Sequence, residues 1–403
     1  MANSFSSITG SAMGILKNFY AGPIVSEFND DIPFYKQAEK GKEKWNGVQV
    51  NRPLKVRRNQ GIGATTDGGL LPAIGQQTVI QAVINAKFNY LRFGITGPMI
   101  KASQGDKGAF VSAVEYEMQQ GLNDLKQDIN RQLFWDGTGT LATVAANVAA
   151  SNVVTATGRE STENGTKYLE VGMVIDIYTS AGVAVATGVA ITALTGSTTA
   201  TITLSAAVTC SATDIIVRSG AYGNEIQGIL TTLDGGTSSI YSVNRATYPV
   251  FQGNSVSLSG AQLNLNAMEQ TLNEGRRRGG SKFDVLYSDY DSERWYNKLL
   301  VADKRYIGKV AGDGTFSNES GTYLEYAGTK LVPDKDCPNR FFFLDSKTWK
   351  KYVLSELEWA DETGSYMLAQ VSTDAFEARL RLFANLFCEK PSANAVLKSY
   401  ISP

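Results

Sequence analysis

Histidine is absent from all 403 residues. That removes the side chain best suited to proton transfer near neutral pH, which is also the commonest metal ligand. The three cysteines, Cys210, Cys337 and Cys388, are isolated and form no CxxC pair. They read as buried small hydrophobes in a reducing compartment, not as a zinc site or a disulfide framework. The glycine-rich stretch NQGIGATTDGG (59–69) lacks both the GxxxxGKS/T and the GxGxxG spacing of a phosphate cradle and leads into no helix. It reads as a hairpin tip. Arg276, Arg277 and Arg278, followed by Gly279 and Gly280, could form a nucleic-acid patch. The same run also suits a helix C-terminus, where cations offset the macrodipole and glycine ends the helix, and this second reading is favoured. Asp289, Asp291 and Glu293 resemble a metal cluster, but helix starts collect acids too. No Ser/Lys, Cys/base or paired-carboxylate arrangement stands out. The residues point to no reaction, no cofactor and no metal, so the chain reads as non-enzymatic.

What the sequence does build is a long ribbon followed by a long helix. Val48, Val50, Leu54 and Val56 alternate along one arm, and Val79, Ile80, Val83, Ile84, Phe88, Tyr90 and Phe93 supply β-formers to a second arm over 78–96. The two arms flank the glycine-rich tip. An isolated two-stranded hairpin is marginal in water, so such a ribbon must lie on something else, and another copy of the protein is the simplest support. Next, Phe110, Val114, Met118, Leu122, Leu125, Ile129 and Leu133 recur at three- and four-residue steps, which predicts one apolar stripe on a helix over 107–134. Glu115, Glu117, Asp124, Lys126, Asp128 and Arg131 fall on its polar face, and Gly137 suits its stop. Further on, Glu356, Glu358, Asp361 and Glu362 form an acidic segment that reads as a solvated loop. Lys55, Arg57 and Arg58 on the ribbon would complement Glu356, Glu358 and Asp361 across an interface between copies.

The composition, 43% hydrophobic and 19% charged with a formal net charge of −1, is that of a soluble globular protein with no general attraction for nucleic acid or acidic membranes. No apolar run approaches the roughly 20 residues of a membrane span, and the N-terminus makes a poor signal peptide. Residues 1–44 look like an arm with aromatic anchors such as Phe19, Tyr20, Phe28 and Phe34. From about 146 to 218 the chain becomes rich in Ala, Val, Thr, Ser and Gly, with short β-like runs, and reads as a small all-β module set into α/β sequence. Beyond it, 261–278 and 292–302 predict helices, and 283–287, 329–332 and 340–344 predict strands. Residues 375–388 also read as a strand, although 377–386 is compatible with a helix.

The order of these elements resembles the major capsid proteins of tailed bacteriophages, the Hong Kong ninety-seven type fold. YAGTKLVPDKDCPNRFFFLD (326–345), DAFEARLRLFANLFCEKPSANAVLKSYI (374–401) and FDVLYSDYDSERWYNKLLVADKRY (283–306) resemble that family's axial-domain and terminal segments. The resemblance implies an α+β chain with an N-terminal arm (1–44), an extended β-ribbon loop (45–98), a peripheral domain with a spine helix (99–147), an inserted β-rich domain (148–218), an axial domain (219–370) and returning peripheral strands (371–403). It further implies self-assembly into hexamers and pentamers of an icosahedral head. The implied partners are scaffolding, portal and decoration proteins and non-specifically held double-stranded DNA, with no membrane partner. The protein would be made in the host cytoplasm and end in the virion. The family's Lys–Asn cross-link matches no position here. An encapsulin-like compartment shell and a secreted β-rich surface protein are the alternatives.

Overall fold

The computed structural model describes residues 32–96, 98, 107–160, 163–280, 282–304, 324–360, 367–369 and 373–403. Side chains are not described at 95, 107–118, 301–304 and 367–369. In chain order the elements begin with α1 (Pro33–Gln37), β1 (Glu39–Lys40), β2 (Gln49–Arg57), β3 (Thr78–Asn85), β4 (Lys87–Thr96) and α2 (Lys107–Phe134). Six strands follow: β5 (Thr140–Val144), β6 (Val148–Thr157), β7 (Val174–Tyr178), β8 (Ala184–Gly196), β9 (Thr199–Cys210) and β10 (Ile215–Arg218). Then come α3 (Ile229–Asp234), β11 (Asn254–Ser257), α4 (Leu265–Gly279), β12 (Val285–Ser288) and α5 (Tyr290–Lys304). The last are β13 (Glu325–Tyr326), β14 (Thr329–Pro333), β15 (Phe341–Leu344), β16 (Trp349–Trp359), β17 (Met367–Ala369), β18 (Ala375–Cys388) and β19 (Ala395–Lys398). Two compact units result, one from Met1–Leu133, Tyr241–Val243 and Trp349–Glu389, the other from Phe134–Ile240, Asn244–Thr348 and Lys390–Pro403.

In the first unit β2 and β3 pair antiparallel, Val50 opposite Ile84 and Leu54 opposite Ile80. Val50, Ala82 and Ile84 at the foot of this hairpin are fully buried. The Val83 N–H donates to the Tyr241 carbonyl at 2.9 Å, and the Tyr241 hydroxyl donates to Leu386 O at 2.8 Å. The expected second arm is not one strand. It breaks at Ala86, and β4 leaves the hairpin to pair with β18 through ten positions, from Lys87 opposite Ala384 to Thr96 opposite Ala375. Half of the second arm is therefore supported by the chain's own late strand, and the β2–β3 hairpin runs from its buried foot to an exposed tip.

Helix α2 has the expected bounds, and Leu122, Leu125, Ile129 and Leu133 are buried on it. Phe110, Val114, Met118, Glu115 and Glu117 lie outside the described side chains. The expected polar face holds at Asp124 and fails at Lys126 and Arg131, which are buried with Asn130 and Gln132. Arg131 and Gln132 are buried with their polar groups paired. Arg131 donates to Asp128 at 2.9 Å, and Gln132 donates to Asn89 of β4 at 3.0 Å. A Cβ on Gly121 would sit 2.9 Å from Leu91 Cδ2, so this glycine lets the helix approach β4 closely. The sheet under it runs β1-β16-β18-β17, with β4 also on β18.

In the second unit β5 to β10 close into a barrel with neighbours in the order β10-β5-β6-β9-β8-β7. It starts at Thr140. Ile175, Ile177, Ile191, Ile202, Leu204 and Ile216 fill its interior. No charged residue lies between Asp176 and Asp214, and these two carboxylates are spent on backbone. Asp176 accepts from the N–H groups of Gly188 and Gly220 at 2.7 and 2.9 Å, and Asp214 accepts from Ser211 N–H at 2.7 Å. A six-stranded mixed sheet, β11-β19-β15-β12-β14-β13, carries the rest. Met268 and Leu272 of α4 pack with Leu286, Phe341, Phe343 and Leu397 of that sheet. Residues 261–264, expected to be helical, precede α4, because Asn264 caps it by accepting from Ala267 N–H at 2.8 Å.

Candidate assembly surface

The groups singled out by type make local contacts where they are described. No set of three or more Cys, Asp or Glu among the described residues could hold a metal ion. Asp289 accepts from Ser292 N–H at 3.2 Å at the start of α5, and burial pushes its carboxyl up to about 6. Asp291 pairs with Arg294 at 2.9 Å. The basic run is a helix terminus. Gly280 is left-handed at φ 63° with its N–H on Arg276 O at 2.8 Å, Arg277 pairs with Glu274, and Arg278 donates to Asn254. Cys210, Cys337 and Cys388 are buried, and burial pushes the Cys210 and Cys337 thiols up, away from the reactive thiolate.

The hairpin carries the exposed groups. Lys55 and Arg57 on β2, and Arg58 just beyond it, face solvent with no ion-pair partner among the described residues. At the tip Ile62, Leu70, Leu71 and Ile74 are 84%, 95%, 85% and 99% exposed. The acidic segment is not a loop at its start, because Glu356 and Glu358 sit on β16. Glu356 pairs with Lys40 at 2.5 Å, and Glu358 accepts from Ser355 Oγ at 2.6 Å and from Arg381 at 3.1 Å. Asp361 lies outside the described residues. Among the described residues, the basic set lies on and just beyond β2 and two acids lie on β16, with no ion pair between the sets.

A further surface escaped the sequence reading. Alternate residues of β4 point away from α2, and each meets an alternate residue of β18: Phe88 opposite Phe383, Tyr90 opposite Arg381, and Arg92 opposite Arg379. The Phe383 ring lies 4.9 Å from Phe88 and 5.4 Å from Tyr90, both edge to face. Arg92 forks onto the Glu377 carboxylate at 2.8 and 2.7 Å, and Arg379 donates to the same group at 2.5 Å. The signal was a mirrored pattern, F-x-Y-x-R at 88–92 and R-x-R-x-F at 379–383, which antiparallel pairing folds onto one face.

No family model matches the chain, and no curated protein matches it. Solved structures do. A chain of the cyanophage A-1(L) capsid asymmetric unit aligns over 92% of this chain and 93% of its own, with a TM-score of 0.57 and 14% identity. The capsid of the native GTA particle aligns over 92% and 91%, with a TM-score of 0.51 and 8% identity. At these identities the likeness is one of fold. The chain has the mixed α/β fold of phage capsid proteins.

Proposed function

We propose that this chain is the major capsid protein of a tailed phage, assembling into the hexamers and pentamers of an icosahedral head that encloses double-stranded DNA. The observation that carries this reading is a capsid-protein fold shared over 92% of this chain and 93% of the cyanophage capsid chain. The role is structural, not enzymatic. In this reading the arrangement is of the Hong Kong ninety-seven type. Residues 45–98 are the extended loop, α2 is the spine helix, and the barrel is an inserted module that projects outward toward neighbours or a decoration protein. Scaffolding and portal proteins are its other partners, and it is made in the host cytoplasm.

The physics of a shell fits the surface. Every subunit makes several contacts at once, so each need be only modestly favourable, and misplaced subunits can leave before closure. Lys55, Arg57 and Arg58 meet Glu356, Glu358 and Asp361 of a neighbour, adding to the ion pairs that Glu356 and Glu358 make within their own chain. A net charge of −1 suits a wall that holds DNA without binding it tightly. The test is to express the chain alone and with its neighbouring genes, then to sediment and image the product. Closed shells are expected; a monomer under every condition contradicts the reading.

A further inference from the structure

Charge along the barrel is concentrated in one place. Of the eight charged residues between 140 and 218, five fall within 159–170, on the connection from β6 to β7. Side chains there reach out of the barrel. Arg159 donates to Asp136 at 2.6 Å, and its guanidinium lies 4.0 Å over the Trp135 ring, both residues preceding the barrel. Its neighbour Glu160 accepts from Arg340 at 2.9 Å. Lys167 donates to the Lys335 carbonyl at 2.8 Å, and the Tyr168 hydroxyl donates to Asp336 at 3.3 Å. Lys335, Asp336 and Arg340 belong to the connection between β14 and β15 of the six-stranded sheet.

The sheet's end of this clasp is held by the sheet's own elements. Asp234 pairs with Arg340 and Lys398 and accepts from Ser255 at 2.9 Å, so it gathers α3, β11, β19 and the residue before β15. Glu160 is what the barrel adds to that set. The Arg340 and Glu160 side chains are 15% and 22% exposed, too dry for salt to screen fully. The apolar cores of barrel and sheet, by contrast, have no member in common among the described residues. Bodies joined by polar contacts, without a shared apolar core, move relative to one another once those contacts open.

The chain enters and leaves the barrel through a neck rich in glycine. Gly137 and Gly139 on the way in, and Gly220 and Gly223 on the way out, have φ between 69° and 83°. The Gly223 N–H donates to Thr138 O at 3.1 Å across the neck. Gly220 and Gly223 have open space where a Cβ would sit, so the backbone there turns without a clash. We propose that this neck is a hinge and that Arg159, Glu160, Lys167 and Tyr168 are its latch. Closed, the latch fixes the barrel on the six-stranded sheet; opened, it lets the barrel swing as a rigid body. The device lies within one chain and does not depend on the shell reading.

Two measurements on the full chain test the latch and the hinge. In the first, hydrogen exchange is followed by mass spectrometry in the parent and in a variant combining R159Q, E160Q, K167Q and Y168F. Loss of these charged and hydroxyl links is expected to speed exchange in peptides of 219–224 and 334–340 at least about tenfold. Strands β6, β9, β12 and β15 should stay as protected as in the parent. Parental exchange at 219–224 and 334–340 overturns the latch. Faster exchange throughout β6 and β9 overturns it too, because the four residues then hold the barrel together and not in place. In the second, nitroxide labels on T195C and Q270C, exposed positions on β8 and α4, report the distance between barrel and sheet. One narrow distance is expected in the parent, and a second distance or a broad spread in the combined variant. A distribution that the variant leaves unchanged overturns the hinge.

Discussion

Replacing Leu70 and Leu71 together by serine separates a surface that folds the subunit from one that joins subunits. In the free chain these side chains are 95% and 85% exposed. Their removal should shift subunit stability by no more than about 0.5 kcal/mol, as for other surface changes. Full burial of a leucine is worth about 1.5–3 kcal/mol. If the contact covers about half of each, the double change costs about 2 kcal/mol per tip, which is roughly thirtyfold in an association constant. Every subunit contributes a tip, so the loss repeats at each contact around a capsomer. The assay is light scattering and sedimentation across a concentration series, with a thermal melt of the unassembled protein alongside. The expected result is a threshold concentration higher by tens of times and an unchanged melt. An unchanged threshold refutes the reasoning, because the tip then contributes no contact. A melt that falls with the threshold refutes it too, because the leucines then stabilise the subunit itself.

Three further outcomes concern the second unit. Gly279 and Gly280 are adjacent but required for different reasons. A Cβ on Gly279 would lie 2.4 Å from Ala393 Cα, whereas Gly280 has open space and only its φ of 63°. By thermal melting G280A should cost about 1–2 kcal/mol and G279A more, about 3 kcal/mol or above; the reverse order would contradict the packing of α4 on the closing turn. Arg340 pairs with Glu160 at 2.9 Å and with Asp234, all three largely buried. R340A leaves Glu160 without this cation while Asp234 keeps Lys398; it should cost about 1.5–3 kcal/mol, read in the same melt, and a loss under about 1 kcal/mol would remove that network from the stability argument. Asp289 keeps its proton to about pH 6 when folded and ionises near 4 when unfolded. Its contribution is therefore fully present below about pH 4 and is lost as pH rises through 6. D289N keeps a capping side chain, so it should gain about 1–3 kcal/mol over the parent at pH 8 and nothing near pH 3.5. An equal gain at both values would show that burial of the charge is not its cause.

Local pattern carried the elements whose burial is one-sided. The 3.6-residue spacing across 107–134 and the alternation across 375–388 appear as α2 and β18 with the same bounds. Pattern misled where partners are distant or polar. Strand β16 was missed because Lys350, Lys351, Glu356 and Glu358 interrupt its apolar residues, and two register shifts against β18 break its alternation. Lys126 and Arg131 were placed on the solvent side by charge alone, because hydrogen-bonding partners that permit burial do not show in spacing. The split of the second ribbon arm at Ala86 depends on β18, nearly 300 residues later. Of the candidate contact residues, Lys55, Arg57, Arg58, Glu356 and Glu358 were legible as exposed charges, whereas the Arg92–Arg379–Glu377 cluster required the strand pairing to assemble it.

The most direct measurement is cryo-electron microscopy of the purified native assembly at a resolution that traces the chain. The account expects closed icosahedral shells filled with DNA, with the β2–β3 hairpin of each subunit lying across a neighbour. A particle packed with protein would favour a compartment shell instead. A chain that stays monomeric, or shells in which residues 59–77 contact no second subunit, would contradict the account at its centre.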